Sequence, residues 1–246
     1  MTHPIKAVFF DLDGTIRIPK PGPTAAFIHY ARSLNIDIPP AAEHRVKVWA
    51  HQYWGHETLV KQDMEQFDMD GFWVNYSRQL LEKVNATQDL MQRAVMVRQW
   101  FDTEYKPEVE VAAGSEQLLR TLKERGYIVG LITNRTSLLP AEVASLGLDG
   151  MFDLALAAGE VGYWKPDPQI FWHALSRFGN LRAEECMYVG DNYFADGRGA
   201  EAAGLVPVLY DPEDLYEQSP YQRIRHMPEL LTILAGNGRN GNGHTH

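Results

Sequence analysis

One cysteine, Cys186, stands in the 246 residues of this chain. An intrachain disulfide is therefore excluded, and nothing in the thiol count points to an oxidising compartment. Basic charge is also scarce, with 23 Lys and Arg against 32 Asp and Glu and a formal net charge of −9. Non-specific nucleic-acid binding needs a basic footprint, so no nucleic-acid partner is expected. An anionic substrate stays admissible where local cations or a metal reverse the field at one site. Long apolar runs are missing as well. The run at residues 7–10 is strand-length, too short for a secretory core, and no stretch approaches the roughly 20 residues of a membrane helix. These absences predict a soluble, cytoplasmic protein with no membrane partner; oligomeric state is left open. Nine histidines do not make a zinc site. His51 and His56 have the wrong spacing for a helical pair, and no cysteine supports them. Cys186 itself begins an apolar run and reads as core.

What is present suffices for a folded core. Apolar residues make up 45% and charged residues 22% of the chain, an ordinary globular balance. Residues 5–10 are β-branched and aromatic and end at an Asp-Gly turn, as a buried parallel strand would. Residues 17–23 hold three prolines and are expected to be irregular. From 24 to 105 the text is rich in Gln, His, Trp, Tyr and Met and carries no convincing strand. Helices are expected at about 24–34, 41–54, 57–67, 70–84 and 87–105.

After Pro107 strands and helices alternate. Strands are expected at 127–132, 152–157, 186–189 and 205–209. Helices at 115–125, 140–146 and 195–203 are each closed by a glycine, and Asp167 caps one that begins at Pro168. Such alternation implies parallel strands with right-handed crossovers. The expected architecture is a doubly wound, Rossmann-like α/β core of residues 1–16 and 108–236. An all-helical cap of residues 17–107 is inserted in it, and a low-complexity, disordered tail covers 237–246.

Ligands of open parallel sheets bind beyond the carboxyl ends of the strands. Asp11, Thr133 and Asp191 fall there. Asp11 and Asp13 follow the first strand, and two positions apart on extended chain they would face one side. One carboxylate can attack phosphorus and the other can move the proton. Thr133 and Asn134 end the second core strand and can hold a phosphoryl oxygen, or cap the next helix. Lys165, in Trp164-Lys165-Pro166-Asp167-Pro168, can neutralise a phosphoryl group or be a solvated lysine. Gly190-Asp191, with Asp196 beyond it, can supply oxygen ligands to Mg²⁺ or cap a helix.

Together, Asp11-Leu12-Asp13-Gly14-Thr15, Thr133-Asn134, Lys165 and Val189-Gly190-Asp191 resemble the haloacid dehalogenase superfamily. They are most similar to its phosphoglycolate phosphatase-like branch with a helical cap. That resemblance implies Asp11 as the phosphorylated nucleophile and Asp13 as general acid/base, with Asp13's backbone carbonyl on Mg²⁺. It implies Thr133 as the phosphoryl-binding hydroxyl, Lys165 as the site lysine, Asp191 as a Mg²⁺ ligand and Asp196 as the second acid behind them. The chain departs from the branch at Ile16-Arg17-Ile18-Pro19-Lys20, where a different hinge sequence is usual, and at the bulky Trp164. Asp13 argues against the dehalogenase branch, which places no acid there.

The function expected is a Mg²⁺-dependent phosphatase of a small phosphorylated metabolite, acting through an aspartyl-phosphate. Alternatives are a sugar phosphomutase using the same residues and a non-catalytic phosphate-binding regulatory module. In the cap, Arg45, Lys47, Tyr53 and Trp54 combine anion-binding and apolar surface within one helix and are expected to bind substrate. Segments 17–23 and 105–109 would be the hinges of a lid.

Overall fold

Four short, mainly apolar runs become the inner strands of one sheet, because such runs can be buried on both faces. The structure, a computed structural model, describes residues 3–138 and 140–239. In chain order its elements begin with β1 (Ala7–Phe10), β2 (Arg17–Lys20), α1 (Pro23–Ser33), α2 (Pro40–Trp54) and α3 (Glu57–Gln66). There follow α4 (Met69–Lys83), α5 (Leu90–Thr103), β3 (Glu108–Val111), α6 (Ser115–Glu124), β4 (Ile128–Thr133), α7 (Pro140–Ser145) and β5 (Leu154–Ala157). The remainder is α8 (Ala158–Val161), α9 (Pro168–Ser176), β6 (Cys186–Gly190), α10 (Arg198–Ala202), β7 (Val206–Tyr210), β8 (Gln222–Ile224) and α11 (Leu230–Arg239). The chain divides into two compact units, Met1–Ile18 with Glu110–His246, and Pro19–Val109.

The first unit is a six-stranded sheet in the order β5-β4-β1-β6-β7-β8, parallel throughout. Alternation along the strands sorts the side chains into two cores. Val8, Phe10, Val129, Leu131, Met187 and Val189 face Leu118, Leu119 and Leu122 of α6 and Leu230 and Leu234 of α11. Ala7, Phe9, Cys186 and Tyr188 face Ile170, Phe171 and Ala174 of α9 and Ala200 of α10. Helices thus cover both faces, which makes the fold doubly wound α/β.

The second unit is built from α1 to α5, with Phe27, Val46, Leu80, Leu81, Val84, Ala94 and Val97 at its centre. Pro sits in the first turn of α1 and α2, where its missing N–H costs nothing. Asp68 caps α4 by accepting from the Gly71 N–H at 2.8 Å. None of the described helices is long and apolar enough to cross a membrane.

Three differences from the sequence reading have physical causes. Residues 17–20 are a strand, not irregular chain: β2 pairs with β3 in a two-stranded sheet. Every strand of such a ribbon is an edge, where Pro19 need not donate. β3, α8, β8 and α11 were not foreseen; the three-residue β8 and the four-residue α8 are too short to show a period. Helix α11 runs to Arg239 and so takes in 237–239, placed by composition in the disordered tail; the remainder of that tail lies outside the described residues.

The β1–β4 register places Phe9 opposite Gly130. A Cβ on Gly130 would lie 2.6 Å from one Phe9 ring carbon and 2.9 Å from another, so the glycine leaves room for the ring. Gly130→Ala should lower the free energy of unfolding by about 1–3 kcal/mol, the usual cost of overpacking a core. Urea denaturation measures it, and an unchanged midpoint would mean that Phe9 has another place to go.

Candidate active site

From β1 the chain passes to β4 and β5 on one side, then returns to β6, β7 and β8 on the other. β1 therefore stands at the point where the strand order reverses, the place where such sheets bind ligands. Asp11 directly follows β1, and its N–H donates to Val189 O at 2.9 Å, extending the pairing with β6. Thr133 is the last residue of β4. Asp191 directly follows β6. Sequence separations of more than 50 residues are thereby reduced to neighbouring strand ends.

Lys165 joins these ends. It is 3% exposed, and its Nζ donates to Asp11 Oδ1 at 2.6 Å, Asp196 Oδ1 at 2.7 Å and Tyr188 Oη at 2.9 Å. All three ammonium protons are thus directed at acceptors. Tyr188 in turn donates its hydroxyl to Ile132 O at 2.8 Å. Burial alone would depress the lysine, but Asp11 and Asp196 outweigh it and hold the ammonium well above its ordinary range. Its main chain is fixed too. Lys165 N–H donates to Asn134 Oδ1 at 2.7 Å, and Asn134 Nδ2 donates to Lys165 O at 2.8 Å. Asp167 then caps α9 through the Gln169 N–H at 2.9 Å.

Carboxylates of Asp11, Asp191 and Asp196 converge, with one oxygen from each lying within 4.8 Å of the others. Thr15 Oγ1 donates to Asp191 Oδ1 at 3.1 Å, and Asn192 N–H donates to Asp196 Oδ2 at 2.9 Å. Two glycines admit the acids. A Cβ on Gly14 would fall 2.4 Å from Asp191 Oδ2, and one on Gly190 would fall 2.3 Å from Asp196 Oδ2. Gly14 also has φ +86°, which no other residue adopts cheaply. Burial pushes the Asp11 carboxyl up to about 7, against the pull of Lys165. Burial, followed by the charges of Asp196 and Asp11, raises Asp191 well above the carboxylate range. Three acids around one ammonium leave an excess of negative charge that a divalent cation would relieve.

Asp13 has partners that the sequence did not name. The chain leaves its extended path at Leu12, whose carbonyl accepts from the Ile16 N–H at 2.9 Å and the Arg17 N–H at 2.7 Å. The Asp13 carboxylate is not one of the three that converge within 4.8 Å, although its charge still acts on Asp11. It is held by Arg135, whose Nε donates to Oδ2 at 2.6 Å and Nη2 to Oδ1 at 2.9 Å, and by Arg17 Nη1 at 3.0 Å. The Asn134 amide holds the Lys165 main chain from both sides, a task the sequence did not name.

The four substrate-binding residues expected in α2 are engaged within the helical unit. Tyr53 is 1% exposed, donates to the buried Asp63 Oδ2 at 2.8 Å and packs on Trp49, Trp54 and Tyr76. A ring so enclosed is core, and its assignment to substrate is withdrawn. Trp54 Nε1 donates to Tyr76 Oη at 3.0 Å. Arg45 Nε donates to Lys83 O at 2.9 Å, closing the end of α4, and Lys47 pairs with Glu43 at 3.2 Å. Each of the four has an ordinary structural task.

Sequence reasoning did not assign site roles to Tyr188, Arg135 or Thr15. Tyr188 had a signal, a hydroxyl inside an otherwise apolar strand. Arg135 had only adjacency to Asn134. Removing the ammonium tests the network. Lys165→Met would leave buried Asp11 and Asp196 without their cation and should cost about 3–5 kcal/mol of stability. Chemical denaturation in chelator reads this, and a loss below about 1 kcal/mol would show that the acids do not need the lysine to fold.

A model of haloacid dehalogenase-like hydrolases matches residues 5–204. The chain is 40% identical to the phosphoserine phosphatase of Thermus thermophilus over 126 residues, 49% of this chain and 50% of that protein. The match thus spans half the length of that relative. It is 30% identical to the ribulose-1,5-bisphosphate 5-phosphatase of Halopiger xanaduensis over 212 residues, 85% of each. Among solved structures it resembles a predicted phosphoglycolate phosphatase from Haemophilus somnus, with a TM-score of 0.58 at 23% identity, covering 93% of this chain and 97% of that one. That last likeness speaks for the fold alone. With the strand-end acids and the site lysine in place, the conclusion follows from the family model and from the relative matched over most of its length: this chain belongs to the haloacid dehalogenase-like hydrolases.

Proposed function

We propose that the chain is a Mg²⁺-dependent phosphatase that hydrolyses a small phosphorylated metabolite through an aspartyl-phosphate on Asp11. One observation carries this reading: the Asp11 carboxylate lies at the fold's ligand-binding switch point, with one oxygen held by the Lys165 ammonium at 2.6 Å and two further acids beside it. Two relatives named as phosphatases support it.

The residues fit the metal. Asp11, Asp191 and Asp196 offer only oxygen donors, as a hard cation prefers, and their charge exceeds that of Lys165. Asp11 and Asp191 would hold the ion, with the Asp13 carbonyl added by the family resemblance; Asp196 is engaged by Lys165. Bound there, Mg²⁺ would neutralise phosphoryl oxygens and keep the acids ionised. The protein's own steps are two in-line displacements. An Asp11 oxygen attacks phosphorus, the bond to the leaving oxygen breaks, and Asp13 gives that oxygen a proton. Asp13 then takes a proton from water as the water oxygen attacks phosphorus, and Asp11 leaves as a carboxylate with release of phosphate. Thr133 and Lys165 stabilise the charge that develops on the phosphoryl oxygens.

Asp11→Asn removes the nucleophile at nearly constant shape. Phosphate release from an aryl phosphate and from a metabolite panel should fall at least about a hundredfold. A folded variant that keeps more activity than that would contradict the covalent reading, and isomerised sugar phosphate in place of free phosphate would point to a phosphomutase.

Metal binding should also be visible without turnover. The Asp11 carboxyl rises from its ordinary 3.8 to about 7 on folding, so between those values the folded chain binds more protons than the unfolded one. Metal-free stability therefore falls as pH rises through that window, and the raised Asp191 carboxyl acts in the same direction. Mg²⁺ needs ionised ligands, so it should raise Tm more at about pH 8 than at about pH 5. An equal or reversed Mg²⁺ effect at the two pH values would argue against this site.

A further inference from the structure

Arg135 has no role in the chemistry above, yet it makes the closest contact that the Asp13 carboxylate has. Its Nε and Nη2 take the two carboxylate oxygens separately, at 2.6 and 2.9 Å. Such a fork fixes a carboxylate in direction as well as in place, which a single contact does not. The fork is itself aimed, because Arg135 Nη1 donates to Glu142 Oε1 of α7 at 2.8 Å. Arg17 adds a third donor to Asp13 Oδ1 at 3.0 Å. The pair spans 122 positions of sequence, so it is not a local helical ion pair of the kind made by Arg120 and Glu116 on α6.

We propose that Arg135 is a positioning residue for the second displacement: its guanidinium orients the Asp13 carboxylate that takes a proton from the attacking water. The inference rests on the phosphatase reading and deepens it. The two half-reactions place opposite demands on Asp13. Proton donation to a leaving group needs an oxygen that carries a proton, whereas water activation needs a bare oxygen held in one direction. A carboxylate gripped by two N–H groups of one guanidinium and one of another is set for the second task. Loss of Arg135 should therefore slow breakdown of the phosphoenzyme and spare its formation from a donor whose leaving group departs without a proton.

Acetyl phosphate is such a donor. The full chain with Mg²⁺ is compared as wild type, Arg135→Gln, Arg135→Lys and, as a control, Arg120→Gln. Two quantities are read: kcat/KM for acetyl phosphate, which reports formation, and the decay rate of preformed phosphoenzyme after a chase. Arg135→Gln should slow decay by about tenfold or more, the scale expected when a catalytic group is misaimed. It should leave kcat/KM within about threefold and raise the phosphoenzyme fraction at steady state. Arg135→Lys, which keeps the charge but not the fork, should recover only part of the decay rate. Arg120→Gln should match wild type. Decay within about threefold of wild type in Arg135→Gln would overturn the proposal. So would an equal fall in both quantities, which marks a purely structural role, or full recovery with lysine, which marks charge alone. A wild-type chain that forms no phosphoenzyme would instead overturn the phosphatase reading and this inference with it.

Discussion

The Lys165 ammonium, almost closed off from water, donates to Asp11, Asp196 and Tyr188, and the rest of the site is arranged around that contact. An isolated charge at such depth would be very costly, so the lysine and the acids depend on one another. The contact ties together three pieces of chain: the end of β1, the segment before α9 and the region after β6. It also explains the local chemistry of its neighbours. Asn134 holds the lysine's main chain, Asp167 starts the helix behind it, and Tyr188 passes the hydrogen bonding on to the end of β4.

The same crowding governs the backbone. Gly14 and Gly190 stand where any Cβ would overlap the carboxylates of Asp191 and Asp196. The acids are thus packed against bare main chain, and their charge is met by Lys165, Thr15 and a few N–H groups. Raised carboxyl groups follow from that arrangement. A site so short of positive charge suits a divalent cation and a dianionic phosphoryl group better than a neutral ligand. The proposed function takes its direction from this imbalance.

Much of this was legible in the sequence because most of these parallel strands are short, mainly apolar and set off by glycine. The runs that became β1, β4, β5, β6 and β7 were each placed within about two residues, and the five helices of the insert were found from composition and spacing. The acids at strand ends could be read for the same reason: topology, once inferred, brings strand ends together. Side-chain direction past a strand end could not be read. Asp13 was expected on the same side as Asp11, but nothing in the sequence showed that Arg135, 122 positions away, would hold its carboxylate. Tyr53 looked like a specificity residue because aromatics and cations shared one helix. Packing decided otherwise, since an amphipathic aromatic reads the same whether its hydroxyl meets a ligand or a buried Asp63. Pro19 misled for a related reason: three prolines read as irregular chain, yet in a two-stranded ribbon a residue at an edge need not donate.

The account stands or falls on a covalent bond between Asp11 and phosphorus. The enzyme turning over a phosphate ester is quenched in acid, digested, and its peptides are weighed and fragmented. A phosphoryl group on the peptide that carries Asp11, lost on treatment with hydroxylamine as an acyl phosphate must be, is the predicted result. Turnover with no phosphorylated peptide, or with the group on another side chain, would contradict the account.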